Sequence, residues 1–143
     1  MEFSEDQVYE VAAGNQSKEI EFPDPERPET GVSILGGNSG VRMRKVRQIT
    51  LDSLMPQIHG RKIGLLKIDV EGFEPQVFEG AAELLKKIRP RIILFESFEP
   101  KHLGRCREVL RDNGYSLAGE KAKEAPPCSP QNHFAFPAEK LKA

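Results

Sequence analysis

Three carboxylates crowd the middle of the chain within six residues, Asp69, Glu71 and Glu74, around a single glycine, Gly72. They follow directly on an apolar run, in the stretch KIGLLKIDVEGFE from Lys62 to Glu74. A fourth acid, Glu96, closes a second apolar run, RIILFE. Carboxylates so placed do two kinds of chemistry: they exchange a proton with a reacting hydroxyl, or they hold a hard divalent cation through oxygen. Asp69, Glu71 and Glu96 are the candidate catalytic residues. No ligand spacing enforces magnesium or calcium on them, and no metal is assigned. The three histidines, His59, His102 and His133, do not cluster in sequence and read as surface or hydrogen-bonded side chains.

The acids need strands to carry them. Lys62–Asp69 and Arg91–Glu96 read as buried strands of one parallel sheet, and Pro75–Ile88 between them as a helix. That helix has Pro75 in its first turn and Val77, Phe78, Ala81, Leu84, Leu85 and Ile88 at helical spacing. In such a sheet, ligands bind outside the carboxyl ends of the strands. Neighbouring strands would bring Asp69 and Glu96 to within about 5 Å, with Glu71 on the turn above. An acid at a buried strand end is costly, which favours a working role for Asp69. Glu74 reads instead as an acid stabilised by the N-terminus of the following helix.

The remaining elements follow from the same patterns. Val8–Ala13 and Glu19–Phe22 are predicted strands, and residues 23–40 a long Pro- and Gly-rich loop. Val41–Thr50 is predicted as a basic edge strand, and TLDSLMPQI as a short helix capped by Thr50 or Asp52. His102–Asn113 is predicted as a helix closed by Gly114. Tyr115–Ala118 and Asn132–Phe136 are predicted as a final antiparallel pair at one edge. The expected fold is α/β, a mostly parallel sheet covered by helices.

A chain of 143 residues with 38% apolar and 30% charged residues and net charge -1 suits one domain with a core. It offers no electrostatic case for nucleic acid or an anionic membrane. No apolar run approaches the ~20 residues that span a bilayer. Cys106 and Cys128 lack disulfide-framework or metal-ligand spacing and read as reduced thiols of a cytoplasmic protein.

TLDSL, then LLKIDVEGFEPQVFEGAAELL, then RPRIILFE, in this order, resemble the FkbM-like methyltransferases; VYEVAAGNQSKEIEF upstream and NHFAFP at the end fit the same pattern. The resemblance implies an S-adenosylmethionine-dependent enzyme of the Rossmann-like class I fold, transferring a methyl group to a hydroxyl of a sugar or other small molecule. It implies Asp69 as proton acceptor or substrate-orienting group, Glu71 as a substrate contact and Glu96 as a lesser partner. It also places Ala13, Gly14, Asn15 and Asp69 against the cofactor.

The family's glycine-rich cofactor turn, of the type D-x-G-A-x-x-G, is absent. GGNSG at Gly36–Gly40 lacks the strand before and helix after that such a turn requires. The expectation is therefore a single domain over 1–143 lacking the first two strands of the 3-2-1-4-5-7-6 order. The edge of IGLLKI would then be covered by self-association, by the N-terminal strand, or by a segment not in this sequence. The competing reading is a non-catalytic binding or assembly module on a methyltransferase fold.

Overall fold

A computed structural model of the chain describes residues 8–23, 43–58, 60–97, 99–118 and 132–141. GGNSG, His59 and Cys128, and most of the predicted 23–40 loop, lie outside them.

The chain begins with a small ribbon. Strands β1 (Ala12–Ala13), β2 (Lys18–Pro23) and β3 (Met43–Ile49) form a three-stranded sheet in the order β1-β3-β2. β1 runs parallel to β3, and β2 runs antiparallel to it. The predicted strand from Val8 shrinks to two residues, and Val8 and Tyr9 stand 73% and 49% exposed. A 3-10 turn over Leu51–Leu54, capped by the Thr50 hydroxyl on the Ser53 N–H, runs into the one-turn helix α1 (Met55–Ile58).

The rest of the chain builds β4 (Leu65–Ile68), α2 (Glu74–Glu79), α3 (Ala82–Lys87), β5 (Ile92–Glu96), α4 (Pro100–Asp112), β6 (Tyr115–Leu117) and β7 (Asn132–Pro137). Its sheet has the order β4-β5-β7-β6. β4 and β5 are parallel, with Ile68 beside Phe95, while β7 is antiparallel to both β5 and β6. The sheets are therefore mixed, which corrects the expectation of a mostly parallel arrangement. The crossover through α4 returns β6 in the same direction as β5 but one strand-width away. β7 then runs back through that gap.

The core lies between this sheet and the helices. Ile68, Ile93 and Phe95 from the strands meet Val77, Phe78 and Leu85 from α2 and α3, and Cys106, Val109 and Leu110 from α4, all buried. Phe78 and Phe95 meet edge-to-face at 5.2 Å. Cys106, Val109 and Leu110 recur at helical spacing, so α4 presents one apolar stripe inward. β4 departs from the predicted buried strand. It is an edge strand with only Ile68 buried, Leu66 partly covered and Leu65 54% exposed.

The predicted single helix over 75–88 is two. The break at Gly80–Ala81 has a physical cause in the TLDSL segment. The Asp52 backbone N–H donates to the Gly80 carbonyl. The Asp52 carboxylate accepts from the N–H groups of Glu83 and Leu84, at 3.1 and 2.8 Å. These are amides that the first turn of a helix leaves without intrahelical partners, so Asp52 starts α3 from 31 residues away.

The same region ties the ribbon to the helical layer. Gly80 lies against the Gly14 carbonyl, Asn15 donates to Glu79 at 3.0 Å, and Arg105 of α4 grips Glu79 from the other side at 2.9 Å. At the opposite end of the sheet, Arg89, at φ 56°, binds Glu139 and the carbonyls of Asn113 and Gly114 while lying over the Tyr115 ring.

Candidate functional site

The turn after β4 is built by its own sequence. Glu71 and Gly72 both have left-handed backbones, φ 51° and 95°, and the Phe73 N–H closes back on the Val70 carbonyl at 3.2 Å. Positive φ at both central positions makes this a type I′ turn. Glycine adopts it freely, whereas Glu71 does so at a cost on the order of 1 kcal/mol. Glu74 holds the turn in place. Its Oε1 accepts from the N–H groups of Val70 and Gly72, both at 3.2 Å. Glu74 is the first residue of α2 and 1% exposed, and its Oε2 meets no polar partner. The acid read as a helix-start residue is thus also the clamp that sets the direction of Glu71.

The other three acids converge. Asp69 follows β4 directly and Glu96 ends β5, and these are adjacent parallel strands. Glu96 is half-buried. Its carboxyl is pushed above the usual glutamate range, first by desolvation, then by the negative charges of Asp69 and Glu71, with a carboxyl–carboxyl hydrogen bond to Asp69 adding to the shift and Lys67 opposing it. The Lys67 ammonium donates to Asp69 Oδ2 at 2.9 Å, and this bond raises the lysine's pKa. The arrangement is a carboxylate paired with a cation beside a second carboxyl that retains its proton to higher pH. Such a site can accept a proton, hold one, and attract a positively charged ligand.

Asp69 also rims a cleft of ≈ 260 Å³ between the ribbon and β4. Ala13 and Leu51 form one wall, and Leu66, Ile68 and Val77 the other.

Of the residues proposed from sequence, Asp69, Glu71 and Glu96 come together at one sheet end, and Ala13 faces the cleft that Asp69 rims. Gly14 and Asn15 are turned into the joint with Gly80 and Glu79. The expectation that Asp69 is a solitary buried acid is corrected: its side chain is 39% exposed and paired. Among the described residues, no three His, Cys, Asp or Glu side chains are placed to hold a metal ion. His102 lies 3.7 Å from Glu99. His133 stacks on Phe95 at 5.2 Å, contacts the Ser97 carbonyl and is pushed below the usual histidine pKa by burial.

Lys67 was missed. The signal was present, because residues two apart on a strand share a face and Lys67 stands two before Asp69.

The fold and the site define a mixed α/β protein whose acids gather at the carboxyl ends of its parallel strand pair, beside a cleft between sheet and ribbon. Residues 4–117 match the methyltransferase FkbM domain, and the chain belongs to that family. Its membership makes it a methyltransferase domain and implies a small-molecule acceptor. No curated protein and no solved structure matches it. Among the described residues, no helix is long and apolar enough to cross a membrane.

Proposed function

We propose that the chain carries the acceptor side of an S-adenosylmethionine-dependent O-methyltransferase acting on a hydroxyl of a sugar or other small molecule. The observation that carries this is the convergence of Asp69, Glu71 and Glu96 at one end of β4 and β5, beside the cleft. The order β4-β5-β7-β6 supports it, because it repeats the 4-5-7-6 part of the class I methyltransferase sheet. On this reading the chain is one Rossmann-like domain, and its place is the cytoplasm.

The residues fit the cofactor in part. The apolar walls of the cleft suit a flat heterocycle, and the carboxylate rim suits a sulfonium. Among the described residues, no glycine-rich strand–turn–helix is available for the amino-acid end. S-adenosylmethionine, when bound, supplies an electrophilic methyl group on a positively charged sulfur.

The chain's own residues do the rest. Asp69 orients the acceptor hydroxyl and takes its proton. Lys67 holds the Asp69 carboxylate in place through its 2.9 Å ion pair. Glu96, beside Asp69 at the end of β5, contacts the acceptor from the neighbouring strand. Glu71 contacts the acceptor from the turn that Glu74 clamps.

The test is transfer of a labelled methyl group from S-adenosylmethionine to a panel of sugars and hydroxylated small molecules, comparing the native chain with Asp69→Asn. Turnover should fall about 10²-fold or more if Asp69 takes the proton. Unchanged turnover in a folded variant removes Asp69 from the chemistry.

A second reading, a non-catalytic assembly module, is favoured by one observation: the outer edge of β4 meets no strand among the described residues. A chain that neither binds S-adenosylmethionine at millimolar concentration nor labels any acceptor, yet self-associates, supports that reading instead.

A further inference from the structure

The sheet β4-β5-β7-β6 carries its core on one face. Ile68, Ile93, Phe95, Leu117 and Ala135 pack there with residues of α2, α3 and α4. Side chains alternate along a strand, so Leu65, Ile92, Leu94, Phe134 and Phe136 point the other way. Leu65 is 54% exposed and the other four are half-buried. None of the five belongs to the core cluster. The ribbon docks on the helical layer, through Gly80 and Glu79, and so lies on the core side. A contiguous apolar patch of this kind marks an interaction surface.

The strand register gives the patch its pattern. Leu94 stands beside Phe134, and Glu96 beside Asn132. The same register, continued, sets Ile92 level with Phe136. Two aliphatic side chains on β5 thus lie next to two aromatic ones on β7, with a polar pair beyond them. This pattern is complementary to itself. A twofold axis along the strands, midway between β5 and β7, lays β5 of one copy over β7 of the other at the same level. Ile92 and Leu94 then meet Phe136 and Phe134 of the second copy, smaller against larger, on both sides of the axis. Glu96 meets the amide of Asn132 of the second copy and not another carboxylate. Face-to-face sheets pack in this way, about 10 Å apart with strands within about 30°.

We propose that two copies of the chain pair through this face as a twofold sandwich, in which the second copy brings an amide to the acid cluster. The inference rests on the sheet face and not on the outer edge of β4, and it holds under either reading of function. The contact is small against the ~800 Å² per partner of a standard interface, so half-dissociation falls at about 10–100 µM.

Sedimentation velocity of the full chain from about 1 to about 500 µM, spanning that range, tests this. The native chain should pass reversibly from monomer to dimer. Leu94→Lys and Phe134→Glu should each stay monomeric while keeping the native circular dichroism spectrum. An equimolar mixture of the two should dimerise again, because the introduced lysine faces the introduced glutamate and the other half of the interface is native. Arg61→Gln, an exposed change off this face, should leave dimerisation unchanged. Phe136→Ser gives the same loss of dimer as a milder change, should a charged variant fail to fold.

A native chain that stays monomeric throughout overturns the proposal and leaves the face to an unlike partner. A dimer that survives the changes at Leu94, Phe134 and Phe136 also overturns it, because it is then built elsewhere, as at the β4 edge. Loss of the dimer in both charged variants without recovery on mixing overturns the twofold arrangement.

Discussion

Gly80 stands so close to Gly14 that a Cβ on Gly80 would lie 2.0 Å from the Gly14 carbonyl oxygen. This is backbone against backbone, so no side chain can swing away to make room. The contact joins the ribbon to the helical layer at the point where α2 gives way to α3. Gly80→Ala should therefore destabilise the chain by about 3 kcal/mol, the upper end of ordinary overpacking, although alanine is the better helix former. Urea unfolding of the variant measures it. A cost within a few tenths of a kcal/mol would mean that the ribbon does not dock here.

Asp52 makes the second half of that joint. Its carboxylate covers two helix-start amides, so Asp52→Ala should cost about 1–2 kcal/mol, the usual range for a lost cap. Asp52→Asn, which keeps one acceptor oxygen, should cost less. Amide hydrogen exchange gives the local signature: Glu83 and Leu84 lose protection in the alanine variant while β5 keeps its own. Equal protection in both proteins would assign the cap to another group.

The strand burial sets a contrast between neighbours. Ile93 is fully buried in β5, and Leu65 is 54% exposed on the β4 edge. Ile93→Ala should cost about 2–5 kcal/mol, and Leu65→Ala should stay within about 0.5 kcal/mol of native. Denaturation midpoints of the two variants decide. A large cost at Leu65 would show that the β4 edge is covered, by a second copy of the chain or by another segment.

These elements also show what the sequence could and could not reveal. The parallel pair, its acids and the α4 stripe were legible, because each follows from local periodicity. The break at Gly80 was not: the apolar pattern continues smoothly from Val77 to Ile88, and the cause lies in Asp52, distant in sequence. The apolar pattern of IGLLKI alone reads as buried, and the edge position of β4 was legible only through the family resemblance, whose two missing strands leave that segment at an edge. Convergence of Asp69 with Glu96 was readable from strand-end positions alone. The clamp by Glu74 was not, because it depends on the left-handed turn at Glu71.

The crowding of Glu96 has a measurable consequence for pH. Its carboxyl is raised above the ordinary value of 4.5, first by desolvation and then by the charges of Asp69 and Glu71. A carboxyl whose folded pKa is raised binds its proton more tightly in the native state than in the unfolded one. Stability from this group is therefore fully present below the ordinary value and is lost as pH climbs through the raised one. Asp69→Asn removes one of the two neighbouring negative charges, while burial and Glu71 remain. The Glu96 pKa should then fall part of the way back toward 4.5 and the pH dependence of unfolding should flatten across that window. Carboxyl carbon NMR titration of Glu96 in both proteins reads the shift at the residue itself. A Glu96 pKa that stays put, or rises, in Asp69→Asn would mean that Asp69 and Glu96 do not share one site.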